Sequence, residues 1–314
     1  MNGLERIPRT RGWGLALAFV AACISGVAVF VNSEYVGKVR DATVYTTAKN
    51  MVAASVLLAL LAAGRRRRSA PRHREARPGF AAWAGLLTLG VVGGSVSFVL
   101  FFEGLARADS PLRAGFIHKT LVVWVALLAV PLLRERITAL HAGAIGLLIA
   151  GQIALVDGLG SLRLHEGEAM VLAATLLWSV EFVVAKRLLA DVGSSAAAAA
   201  RLGIGVAILI GYVTVSSRFD DLAGMSAQEW KWVLVTGAIL AGFVATWFAG
   251  LARAQAIDVT AVLVFGQIVT SALTSIVKGD PIGPNLNGLV LIGIGVVAVV
   301  MGSLRTRGTV TASP

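Results

Sequence analysis

Phe102-Glu103-Gly104-Leu105-Ala106-Arg107-Ala108 returns as Phe248-Ala249-Gly250-Leu251-Ala252-Arg253-Ala254, seven residues repeated 146 positions later with a single mismatch. A repeat at that spacing marks one unit written twice. If each copy holds an odd number of membrane spans, the second inserts upside down relative to the first, the inverted-repeat construction of many secondary transporters.

Composition sets the class around that repeat. Of 314 residues, 57% are hydrophobic and only 14% charged, and the mean hydropathy is +0.80. Soluble domains carry far more charge. At about 20 apolar residues per helical span, the chain accommodates about ten spans and leaves little for any soluble domain. The apolar runs predict helices at 13–32, 42–63, 80–102, 111–133, 139–156, 167–185, 194–215, 232–252, 259–277 and 286–304. The expected fold is therefore an all-α membrane protein, ten transmembrane helices in two inverted five-helix repeats. Residues 1–12 read as an amino-terminal tail, 13–156 and 167–304 as the two repeats, 157–166 as an external connection and 305–314 as a carboxy-terminal tail. Turns fall at Asp109-Ser110-Pro111, Asp191-Val192-Gly193-Ser194 and Gly279-Asp280-Pro281, residue types that break helices. Ser226 and Glu229 form a capping-box pattern at the start of the eighth span. A soluble helical bundle would need polar outward faces that these runs lack.

Lys and Arg set the orientation, because short cytoplasmic loops retain them. With the amino terminus inside, the inner segments hold 17 of these residues, among them the run Arg65 to Arg68, and the outer segments 8. Both termini are expected in the cytoplasm, in a multi-pass protein of the cell (inner) membrane. The formal charge of +11 follows from that topology and from attraction to anionic lipid heads, and does not call for nucleic acid as a partner. Arg residues followed by an apolar run and Val20-Ala21-Ala22-Cys23 faintly resemble a lipoprotein signal, but the run continues well past Cys23, so an uncleaved first span is expected. Cys23, the sole cysteine, reads as a small packing residue.

Ten short spans in two five-helix copies, a basic loop after the second span, and Leu132-Leu133-Arg134-Glu135-Arg136-Ile137 closing the fourth resemble the drug/metabolite transporter superfamily, EamA-type. The likeness runs from Trp13 to Leu304. It implies alternating access around a central cavity between the halves, commonly with export of amino acids or other metabolites. The second copy departs from the pattern: Val277-Lys278-Gly279-Asp280-Pro281 stands where a second glutamate is usual, which leaves Asp280 as a candidate counterpart of Glu135.

Charge inside a span is costly unless it faces a cavity or a partner, so Lys49, Glu103, His118, Lys119, Glu181 and Arg201 carry the mechanistic information. Glu181 and Arg201 lie ten residues either side of Asp191, and at about 1.5 Å per residue they reach similar depth. Two readings stand for them. Either the carboxylate takes a proton or a substrate ammonium while the guanidinium holds a carboxylate, or the two form a permanent ion pair fixing two helices. Lys49, His118 and Lys119 fall in the outer half as further binding or coupling candidates, and His118 also reads as a packing residue. Glu103 has snorkelling to the outer surface as its plainer reading. Lys49 and Arg201 each open the second span of a copy, so inversion puts one cation in each half of the membrane. Glu135 and Arg136 read as interfacial or gating residues. Trp178, three residues before Glu181, shares its helix face and is the aromatic most suited to line a cavity, ahead of Trp124 and Trp247. Gly90, Gly94, Gly143, Gly146, Gly288 and Gly293 are expected at close helix crossings.

A Walker-type glycine loop, a His/Cys cluster with metal spacing and a nucleophile motif are all missing from the sequence, so the chain reads as a transporter and not an enzyme, needing no cofactor. The expected activity is secondary active export of amino acids or related small metabolites, by a monomer or homodimer in the lipid bilayer; a proton is the simplest coupled ion given Glu181, and facilitated diffusion or exchange fits equally well. The alternatives are an antiporter of phosphorylated or nucleotide-linked sugars, and a membrane scaffold or lipid-handling protein.

Overall fold

The computed structural model describes residues 7–35, 41–67, 79–109, 111–156, 164–279 and 281–305. Its long helices run Ile7–Tyr35, Ala42–Arg67, Phe80–Arg107, Pro111–Leu133, Ala139–Leu155, Glu166–Leu188, Ser194–Val215, Ala227–Leu251, Ala256–Lys278 and Leu286–Arg305. They are the first to tenth spans. Among the described residues, nine are long and apolar enough to cross a membrane; Ala139–Leu155 is shorter, at 17 residues. Asp280 and most of the connection at 157–166 lie outside the described residues.

The packing carries a two-fold pattern. The first span crosses the eighth and ninth as the sixth crosses the third and fourth, while the second packs on the seventh and the fifth on the tenth. The repeated heptapeptide sits at the first of these crossings in both copies. A Cβ on Gly104 would lie 2.8 Å from the Gly167 carbonyl oxygen, and one on Gly250 would lie 3.0 Å from that of Gly14. Arg107 ends the third span at the face away from the termini, whereas its copy Arg253 follows the eighth span at the terminal face. The two halves are inverted.

Lipid tails offer no hydrophobic drive for helix to find helix, so small residues that admit backbone contact do much of the work. Gly151 and Gly288 face each other, with an added Cβ on either 2.7 Å from the other's carbonyl oxygen. Gly90 and Gly94 crowd the seventh span at Ile204 and at Arg201 and Gly205. Gly143 and Gly146 instead have open space where a side chain would stand, and Gly293 has only an ordinary contact with Ile268. The expectation of close crossings fails at these three, because their faces of the fifth and tenth spans point away from the shared seam.

Three spans are not uniform helices. The third is π-helical over Leu89–Val96, the fourth divides at Thr120 and the ninth at Val264–Phe265. The last two breaks are two-fold equivalents. At Thr120 the hydroxyl donates to the Ile117 carbonyl at 2.6 Å, and at the ninth-span break the amides of Gln267 and Ile268 bond three residues back, to Val264 and Phe265. The eighth span opens as its sequence predicts: Ser226 Oγ accepts from the Glu229 amide, and the Glu229 carboxylate accepts from the Ser226 amide at 2.7 Å.

Candidate functional site

Carbonyls of the π-helical stretch accept from side chains within it, just after it and on other spans. Ser95 Oγ donates to the carbonyls of Gly90 and Val91, and Ser97 Oγ to that of Val92. The Gly93 carbonyl accepts from Arg201 Nη2 at 2.9 Å and from Trp178 Nε1 at 3.2 Å. A π-bulge frees carbonyls in this way.

Around that carbonyl the third, sixth and seventh spans meet. Arg201 Nε donates to Glu181 Oε1 and Nη2 to Oε2 at 3.0 Å, a bidentate ion pair with both residues buried. Counting from Asp191 therefore places the two correctly. Gly93 makes the room, because a Cβ there would overlap the Glu181 carboxyl group. The Phe98 ring meets Trp178 edge-on at 5.5 Å and stacks on Phe102 at 6.3 Å. Arg201 lies over Phe98, with Cζ 5.4 Å from the ring centroid. Lys49 lies over Phe102, with Nζ at 4.6 Å, so the two cations occupy opposite ends of one aromatic stack. Lys49 has no ion-pair partner among the described residues. His118 is half-buried, 5.1 Å from the Trp178 ring and 5.0 Å from Phe101, with Nδ1 lacking a hydrogen bond. Lys119, beside it, makes no hydrogen bond or ion pair among the described residues. Thus Trp178, Glu181, Arg201, Lys49 and His118 form one connected group, and Lys119 adjoins it through the chain alone.

Polar clusters tie the spans together at both ends of the bundle. On the terminal face, Glu135 accepts from the amides of Ala256 at 2.7 Å and Ile257 at 3.1 Å, a carboxylate from the first copy capping the ninth span. Burial pushes the Glu135 carboxyl above its ordinary range, against the pull of those two amides. Lys186 Nζ donates to the carbonyls of Leu251 and Ala254, at the end of the repeated heptapeptide. Arg136 is exposed. Asp258, fully buried, joins four spans: it accepts from Arg11 Nη2 at 2.9 Å and Ser303 Oγ at 2.7 Å, and pairs with His141 Nε2 at 3.1 Å. Thr138 Oγ1 holds the other ring nitrogen of His141 at 2.7 Å.

On the opposite face, Glu103 accepts from Thr43 at 2.7 Å, Arg218 at 2.9 Å and Arg107 at 3.2 Å. It is a junction, not a snorkelling side chain. Arg218 also pairs with Asp41 at 3.2 Å, and Arg107 with Glu166 at 3.0 Å. The Glu103 hydrogen bond, more than any other influence, holds the Arg218 pKa above its ordinary value. Glu168 is also wholly buried, with neither oxygen hydrogen-bonded, but it lies 13 residues before Glu181, about 20 Å along the helix.

Sequence reasoning missed Asp258 because the predicted ninth span began at residue 259, one position too late to count this carboxylate as intramembrane. His141 was inside the predicted fifth span, and its signal was the same as that of His118.

A family model for the EamA-like transporter family matches residues 12–156 and again 165–301, one match per inverted half. The chain belongs to the EamA-like transporter family. It is a multi-pass membrane protein and a transporter of small solutes. A crystal structure of a protein has the same fold as this chain, with a TM-score of 0.74 over 95% of this chain and 99% of that one at 18% sequence identity. At that identity the likeness speaks of fold alone. A comparison with curated proteins gives no match.

Proposed function

We propose that the chain is a secondary active transporter that exports amino acids or related small metabolites across the inner membrane, with both termini in the cytoplasm. The observation that carries this reading is the Glu181–Arg201 pair, enclosed between the inverted halves beside Trp178. Intramembrane charges of this kind mark transport paths by default. Glu181 and Arg201 offer a zwitterion one partner for each end. When a substrate carboxylate draws the guanidinium away, Glu181 is free to take the substrate ammonium or a proton, which couples flux to the proton gradient. Lys49 and Arg201, at opposite ends of the Phe98–Phe102 stack, give an anionic group a foothold in each half of the membrane. His118 and Lys119 line the route toward the face away from the termini.

Alternating access requires the two ends to open in turn. Glu135 and the Asp258 group hold the terminal face, Arg136 faces solvent beside them, and the Glu103–Arg218–Asp41 group holds the other. The enclosed cations argue against a quaternary cation as substrate.

Efflux of an isotopically labelled mixture of amino acids from proteoliposomes tests the reading. Glu181→Gln should flatten the pH dependence and Arg201→Ala should abolish flux. Unchanged flux and pH profile in both variants, at normal protein amounts, overturn it.

A further inference from the structure

Arg201 spends Nε and Nη2 on Glu181 and the Gly93 carbonyl, and Nη1 is left buried without an acceptor. Trp247, on the eighth span and 2% exposed, leaves Nε1 in the same condition. The two side chains are in contact, with Arg201 Cζ over the Trp247 ring at 5.4 Å from its centroid. Both can only donate, so neither can satisfy the other. Buried polar groups in folded proteins almost always have partners, and two orphaned donors on side chains in contact call for an acceptor.

Charge and shape say which acceptor. At the centre, Glu181 cancels one of the cations Arg201 and Lys49, and the other is left over; an anion restores neutrality. Two N–H donors on different spans suit a group that offers two acceptor oxygens. A carboxylate does both, and charge-assisted bonds to it are the strong ones. The indole cannot swing away, because its ring packs on Phe182 at 4.8 Å, on Phe248 edge-on at 4.4 Å and in parallel with Phe243 at 6.3 Å.

The repeat adds an independent observation. Shifted by 146 residues, Trp247 corresponds to Phe101, which has no N–H to donate. The two-fold symmetry is broken at this donor, so the molecule holds a single such site and not two. We infer that Trp247 Nε1 and Arg201 Nη1 together form the docking point for the carboxylate of the transported solute. The inference rests on the transport reading of the same centre and adds a residue, Trp247, and a substrate group to it.

The test is direct. The full chain, labelled with nitrogen-15 in its tryptophans and held in lipid nanodiscs, gives one indole resonance that Trp247→Phe removes. Sodium acetate should move that resonance downfield, acetamide should not, and Arg201→Lys, which keeps the charge but lacks Nη1, should abolish the response. Indifference to acetate, an equal response to acetamide, or a larger response to methylphosphonate than to acetate overturns the carboxylate assignment. In the efflux assay, Trp247→Phe keeps the ring and loses the donor, so the half-saturating concentration should rise about tenfold. Wild-type efflux that Trp247→Phe leaves unchanged overturns the inference and leaves the transport reading standing. An acetate-sensitive Trp247 in a chain that moves no amino acid overturns the amino-acid reading and leaves the docking point.

Discussion

Replacing Gly93 by alanine tests the centre of the molecule with one methyl group. That methyl would overlap the Glu181 carboxyl group, which must move by more than an ångström and give up its bidentate hold on Arg201. Overpacking of this kind costs about 1–3 kcal/mol. Breaking a buried ion pair costs about 3–5 kcal/mol when a partner is lost outright, so a displaced one puts the total at about 3 kcal/mol. In a Glu181→Ala background the overlap is gone and the new methyl fills part of the vacated space. Gly93→Ala should then cost less than about 0.5 kcal/mol, leaving a coupling of about 2 kcal/mol or more, well beyond the scatter of independent sites. A Glu181→Gln background separates shape from charge: the amide occupies the same volume, so the cost of Gly93→Ala should persist there. Unfolding of the four chains of the Gly93–Glu181 cycle, followed by tryptophan fluorescence in a mixed-detergent titration, reads these numbers. Additive costs within about 0.5 kcal/mol would mean that Glu181 does not lie over Gly93.

Asp258→Ala removes the shared acceptor of Arg11, Ser303 and His141 and should destabilise the chain by about 3 kcal/mol, somewhat less than a fully buried pair because Arg11 is 25% exposed; cysteines placed at the ends of the fifth and ninth spans should become accessible from the terminal face. Ser226→Ala should cost about 1 kcal/mol and fray the first turn of the eighth span, seen as faster amide exchange there and not at the centre. Glu135 predicts a slope with pH. Its folded-state pKa is raised above the ordinary 4.5, so its contribution to stability is full below that value and is lost as pH rises through the folded pKa. Stability measured across that window should fall in the wild type and stay flatter in Glu135→Gln; equal slopes would remove the assignment.

Much of this was legible in order along the chain. Hydrophobic runs, the heptapeptide repeat, the capping box at Ser226 and the common depth of Glu181 and Arg201 depend on local period and on counting from a turn, and both survive folding. The family resemblance rested on the same layout. The rest needs partners far apart in sequence. Asp258 meets residues 247, 117 and 45 positions away, and no local pattern announces such a meeting. The π-helical stretch of the third span answers to Arg201 and Trp178, which lie on other helices. Trp247 ranked behind Trp178 as a cavity-lining aromatic because its orphan N–H is visible only once every neighbour is in place.

Sequence alone therefore determined that this chain crosses a membrane in two related halves, since apolar length and repetition are properties of order along the backbone. Tertiary structure decided which charges neutralise one another, which carbonyls are released and which donors are left waiting. Those outcomes depend on distances of a few ångströms between spans, and only packing sets them.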